Sequence, residues 1–188
     1  EGVVFHEDMG SYLDRGERIG DLAYFIAETL DLSPDRLELV KRASSLCKTD
    51  LLTEMVGEFP KLQGIMGREY ALVQGEDEEV ARSIAEHYLP RFADDVLPET
   101  EIGIILSLAD KFDLIAGCFA AGLIPTGSQD PYGLRRQSQG IIRILETKDL
   151  HLSLQKLFEK SLSNVTGICP DGDSGKVYEQ IIDFFKDR

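Results

Sequence analysis

Only three histidines, His6, His87 and His151, are available to this 188-residue chain for metal binding or proton transfer, and they lie far apart. Imidazoles clustered with carboxylates hold transition metals, which activate water for attack on phosphate. The carboxylates best placed for such work are Asp50, in Lys48-Thr49-Asp50, and Asp110, in Leu108-Ala109-Asp110-Lys111. Two carboxylates alone hold a hard cation weakly, and a neighbouring lysine repels one. His87, beside Tyr88 and Pro90, reads as a half-buried structural histidine, and His6 and His151 carry no assignment. No serine has a histidine partner in view, so nucleophilic catalysis has no visible apparatus. Gly-x-Gly-x-x-Gly and the P-loop pattern are both absent. Cys47, Cys118 and Cys169 have no Cys-x-x-Cys spacing, which argues against zinc.

The basic candidates are Arg135, Arg136 and Arg143. A helix places residues seven apart on nearly the same face, so Arg136 and Arg143 align while Arg135 points aside. Arginine takes phosphate oxygens bidentately. The competing reading pairs one of them with a buried acid such as Asp110 or Asp113. The net charge of −14, from 34 acidic and 20 basic residues, bears on this choice. A surface that gripped phosphates everywhere would be basic. Any nucleic-acid contact must therefore come from a restricted patch.

The elements that position these residues read as helices throughout. Gly10 to Leu30 carries one apolar stripe, Ile19, Leu22, Ala23, Ile26 and Leu30. Ser33-Pro34-Asp35 opens a second helix, with Ser33 as N-cap and Pro34 at the first position. Its apolar face is Leu37, Val40, Ala43, Leu46 and Cys47. Further helices are predicted over Pro60 to Val73, from Asp77 to Pro90, and from Thr100 to Gly122, the last apolar along its length. Another starts at Asp130-Pro131, a short one spans Leu152 to Leu162, and a final one runs from Lys176 to Lys186 after a loop from Asn164 to Gly175. No segment alternates well enough to be a strand. The prediction is an all-α, compact domain of seven or eight helices. An odd cysteine count without a signal peptide points to a reducing cytoplasm. No run approaches the roughly 18 apolar residues of a membrane span.

The stretch Lys48 to Gly67, KTDLLTEMVGEFPKLQGIMG, breaks the helical pattern at Glu58-Phe59-Pro60 and restarts on a run holding Gln63, Gly64 and Gly67. Two glycines there cost a helix about 1 kcal/mol each against alanine, so something must approach that backbone closely. The wording of this stretch resembles the β subunit of the bacterial two-subunit glycyl-tRNA synthetases, in which an EFP-x-LQG-x-MG segment occurs. Glu86-His87-Tyr88-Leu89-Pro90, Leu108-Ala109-Asp110-Lys111-Phe112-Asp113 and the run from Pro125 to Arg136 agree, in the same order. The resemblance covers about Gly10 to Leu150.

The resemblance implies a segment related to HD-domain phosphohydrolases, which bind a divalent cation with a first-helix His, a His-Asp pair and a distant Asp. Here those positions have lost their ligands. Arg15 or a neighbour stands where the first His belongs, Lys48-Thr49-Asp50 replaces the His-Asp pair, and Asp110 matches the distant Asp. The expected site is therefore degenerate and metal-free, with a basic side chain supplying the charge near Asp110. Residues 1–163 would form the degenerate HD-like helical domain, and 164–188 a loop and C-terminal helix packed on it. The family implies membership of a glycine–tRNA ligase that uses ATP and Mg²⁺, with glycine activation in the α subunit. This portion would have no catalytic residues and no cofactor. It would hold glycine tRNA, with Arg135, Arg136 and Arg143 as candidate RNA contacts, or brace the α subunit. An active metal-dependent phosphohydrolase and a purely architectural spacer are the alternatives. The missing initiator Met, and a resembling subunit several times longer, suggest part of a larger polypeptide.

Overall fold

The computed structural model describes residues 3–165, 167–168 and 173–186. A short antiparallel hairpin, β1 (Val4–His6) and β2 (Gly10–Ser11), leads into α1 (Tyr12–Thr29). There follow α2 (Pro34–Leu46), α3 (Glu54–Glu58), α4 (Ile65–Val73), α5 (Glu78–Glu86) and α6 (Glu101–Ala120). The chain then forms α7 (Leu134–Thr147), α8 (Leu154–Asn164) and α9 (Ser174–Lys186). Single 3-10 turns at Thr49–Leu52 and Pro60–Leu62 flank α3.

The all-α class holds, with nine α-helices among the described residues. The count exceeds seven or eight because Lys48 to Gly67 is not one helix running into another. It is a 3-10 turn, the five-residue α3, a second 3-10 turn and then α4. The hairpin is a correction to the strand-free expectation, since its strands of three and two residues are too short to show alternation. It packs through Phe5, whose ring meets Tyr12 edge-on at 5.3 Å. Of the loop predicted from Asn164 to Gly175, residue 166 and residues 169–172, Cys169 included, lie outside the described residues. Asn164 instead closes α8, and Ser174 and Gly175 open α9.

Capping explains where several helices begin. Ser11 and Asp14 form a reciprocal capping box on α1. Pro34 opens α2, Asp77 accepts from the Glu79 and Val80 amides on α5, and Thr100 accepts from Gly103 N on α6. α7 starts later than Asp130-Pro131 suggested. The Asp130 carboxylate reaches across a turn to accept from Leu134 N at 2.7 Å and Arg135 N at 3.0 Å, with Gly133 in the left-handed region.

α6 is the axis of the fold. Of its twenty residues only Glu101 and Ile104 escape burial, as expected of a helix apolar almost all round. α1, α2, α5, α7, α8 and α9 pack around it. Cys47 and Cys118 are buried as small core hydrophobes. That central helix also carries Ser107, Asp110, Lys111 and Asp113 inside. Buried charges need partners, and the partners define the site.

Candidate functional site

The Asp110 carboxylate, near the middle of α6, is met from two sides. Arg15 Nη2, from α1, lies 2.8 Å from Asp110 Oδ1, and Lys48 Nζ, just past α2, lies 3.0 Å from the same oxygen. One turn along, Asp113 takes Arg18 Nε at 2.7 Å and Arg15 Nε at 3.4 Å. Burial alone would raise the Asp110 carboxyl, but Arg15 and then Lys48 override it and hold it well below the usual carboxylate range.

Lys48 Nζ also lies 2.9 Å from His87 Nε2, and the other ring nitrogen, Nδ1, lies 2.6 Å from Ile84 O. The geometry calls for a neutral ring: Nδ1–H donates to the carbonyl and Nε2 accepts from the ammonium. Burial first, and the Lys48 charge second, push the His87 pKa well below its ordinary value. His87 is wholly buried rather than half-buried, a correction to the sequence expectation. Its partner lies 39 residues away in the chain, which spacing does not reveal.

Asp50 sits beside this group without joining the ion pairs. Its Oδ2 accepts from Gly64 N at 2.5 Å and its Oδ1 from Tyr88 Oη at 3.3 Å. Thr49, by contrast, turns outward and donates only to Leu46 O. Arg15, Lys48 and Asp110 are thus brought together, Asp50 is bound by Tyr88, over whose ring Lys48 Nζ lies 4.4 Å from the centroid, and Thr49 is left out. Arg18, Asp113 and Lys111 belong to the cluster as well. Lys111 Nζ donates to Leu89 O at 2.7 Å and Ser107 Oγ at 2.8 Å. Burial lowers its pKa to about 7, against the opposing pull of Asp110.

These residues do not fit a divalent cation. Asp110 Oδ1 is shared by two cations, His87 Nε2 faces an ammonium, and Asp50 is bound by an amide and a phenol. Among the described residues, no group of three His, Cys, Asp or Glu side chains is arranged to hold a metal ion.

A groove of about 630 Å³ opens between α1 and α2, walled by Tyr12, Leu13, Gly16, Glu17 and Tyr24, with Lys48 in its lining. Its cations are already engaged, Lys41 by Glu38 at 2.7 Å and Lys48 by Asp110. It therefore presents no free charge to a phosphate.

The glycines of the Lys48–Gly67 stretch serve this arrangement. Gly64 holds φ +78°, and a Cβ there would stand 2.7 Å from the Tyr88 ring. A Cβ on Gly67 would meet Ile84 Cγ2 at 2.7 Å and Asp50 Cβ at 3.2 Å. What approaches this backbone is α5, together with Tyr88 just beyond it and Asp50.

The three arginines are not brought together as one set. Arg135 has only a loose pair with Asp130 at 3.9 Å, and Arg136 is exposed. Arg143 donates to the backbone carbonyls of Ala93 and, at 3.0 Å, Asp95. None pairs with Asp110 or Asp113, whose partners come from Arg15, Arg18 and Lys48, so that alternative is corrected.

A family model described as glycyl-tRNA synthetase beta subunit matches residues 1–188. The chain belongs to that family. It is 52% identical over 187 residues to the glycine–tRNA ligase beta subunit of Desulforamulus reducens, covering 99% of this chain and 27% of that protein. The corresponding subunit of Halothermothrix orenii is 49% identical over 96% of this chain and 26% of its own length. That of Clostridioides difficile is 48% identical over 99% and 27%. The chain thus spans about a quarter of the length of these beta subunits. Within this segment the Arg15–Lys48–Asp110 cluster is buried against the central helix α6. No helix among its described residues is long and apolar enough to cross a membrane.

Proposed function

We propose that this segment is a non-catalytic module of a two-subunit glycine–tRNA ligase, the enzyme that joins glycine to its tRNA with ATP. The observation that carries the reading is Lys48. Its ammonium lies 3.0 Å from Asp110 and 2.9 Å from His87, so an internal cation occupies the place between carboxylate and imidazole. A fixed cation there supports a structural role over phosphate hydrolysis. ATP and Mg²⁺ belong to the complete cytoplasmic enzyme, glycine activation to its α subunit, and the role of this segment is to hold glycine tRNA or brace that subunit.

The test uses the complete ligase carrying Arg135→Glu with Arg136→Glu. The KM for tRNA rises while the KM for glycine does not, because each lost phosphate contact weakens RNA binding alone. An unchanged KM for tRNA in the folded variant removes the RNA-holding role of these two residues. Elemental analysis addresses the hydrolase alternative. About one tightly bound divalent metal per chain, released only by chelator, would overturn the non-catalytic reading.

A further inference from the structure

The distribution of unpaired arginines singles out one surface. Arg15, Arg18, Arg36, Arg42, Arg68, Arg82 and Arg135 each have a carboxylate within 4.0 Å. No described carboxylate lies within ion-pair reach of Arg91, Arg136 or Arg143. In a chain of charge −14, leaving three arginines uncompensated is a selective arrangement.

Contacts tie two of these arginines to one pair of loops. Arg91 Nη2 donates to Gln63 O at 2.7 Å, joining the loop after α5 to the turn before α4. Arg143 donates to the Ala93 and Asp95 carbonyls of the first of those loops. Gly140 seats α7 against Pro90, with a virtual Cβ 3.3 Å from its ring. Arg136 and Arg143 flank that glycine, about 10 Å apart along the helix. The Asp95 carboxylate is turned back on its own loop, accepting from Arg91 N at 2.7 Å and Val96 N at 2.9 Å.

The same two loops expose their aromatic rings. Phe59 and Phe92 are each 58% exposed, and Lys61 follows Phe59 on the 3-10 turn. Aromatic residues and arginine also mark protein-binding surfaces, and Glu58 beside Phe59 and Asp94 near Phe92 are exposed, so a partner subunit is the competing occupant; the uncompensated arginines favour RNA. Aromatic faces among uncompensated arginines are what unpaired nucleotides need: every base has a face to stack, and every phosphate a charge to meet.

We propose that this surface binds unpaired RNA nucleotides, with Phe59 and Phe92 stacking on bases and Arg91, Arg136 and Arg143 meeting phosphates. The proposal rests on the reading of the segment as a tRNA-holding module, and it assigns the contact to single-stranded rather than paired RNA. In a duplex the bases are already stacked on one another and offer these rings nothing.

The experiment uses the complete ligase and a glycine tRNA transcript. Hydrogen exchange is read with and without RNA, and affinity is measured for Phe59→Ala with Phe92→Ala, for Phe92→Tyr and for Phe92→Leu. The expected result is RNA-dependent protection of residues 59–63 and 91–96. The double alanine variant binds at least about 30-fold more weakly, since it loses two stacked bases at roughly 5- to 150-fold each. Phe92→Tyr retains affinity and Phe92→Leu does not, since leucine keeps the apolar bulk without the face. Both rings are exposed, so these variants fold. Protection elsewhere in residues 3–186, with unchanged affinities, overturns the surface and leaves the tRNA-holding role standing. No protection anywhere in those residues overturns both. Protection of the two loops by the partner subunit without RNA, with unchanged RNA affinities, makes this a protein interface and overturns the proposal.

Discussion

Lys48, Arg15 and Asp110 form a small network in which two cations share one carboxylate oxygen, so the two sides of each pair are not equivalent. Asp110→Asn strands the buried Lys48 ammonium beside a neutral imidazole and leaves Arg15 only Asp113 at 3.4 Å, and the cost is about 3–5 kcal/mol, as for other broken buried pairs. Lys48→Met costs less, because Asp110 keeps Arg15. Urea unfolding of both variants checks the order, and a larger loss for Lys48→Met would contradict it. Lys111 gives a pH signature. Its pKa falls from 10.5 to about 7 on folding, so between those values the unfolded chain holds a proton that the folded chain lacks. The contribution of Lys111 to stability therefore rises as pH increases from about 7 to 10.5. Lys111→Met removes that share, and the urea midpoint climbs less steeply with pH over the same range.

At the level of elements, two glycines in helical surroundings predict opposite outcomes. Gly64, the N-cap of α4, holds φ +78°, and a Cβ there would lie 3.2 Å from the α5 backbone at Ala85 as well as against Tyr88. Gly64→Ala combines left-handed strain with overpacking, each about 1–2 kcal/mol or more. Gly16 is in the middle of α1, and a Cβ there meets nothing within 4 Å. Gly16→Ala stabilises by about 0.5–1 kcal/mol, the ordinary gain for alanine in a helix interior. Thermal unfolding of the two variants should move the midpoint in opposite directions. A loss of stability in Gly16→Ala would mean that the open face of α1 has an unseen packing role.

For the whole molecule, the charge of −14 sets how RNA can approach. Long-range repulsion leaves attraction to a few cations at close range. If Arg91, Arg136 and Arg143 each meet one phosphate of a single strand, they contribute about −2 to the log–log salt slope of binding, at roughly −0.7 per contact. The slope for the complete ligase minus that for the triple glutamine variant measures this share. A difference near zero places the phosphates elsewhere. Arg91 and Arg143 also brace loop carbonyls, so a stability measurement belongs beside the slope.

Much of the architecture was legible in the sequence because it is local. Asp77 and Thr100 cap helices where their side chains predict, Pro34 opens α2 although the Ser33 side chain makes no capping hydrogen bond, and the all-round apolar run of α6 marks it as the central helix. Gly64 and Gly67 announced a close approach, and the Asp110 segment announced a buried charge. What approached and what paired were beyond the sequence. Lys48, His87 and Asp110 meet only because α2, α5 and α6 cross at one place, and crossing geometry depends on the packing of whole helix faces. For the same reason Arg143 turned out to hold the Ala93 and Asp95 carbonyls, while Arg18 of α1 took Asp113. Residue type fixed which charges this protein possesses. The tertiary structure alone decided which of them neutralise one another in its interior and which three arginines, among the described residues, have no carboxylate in reach.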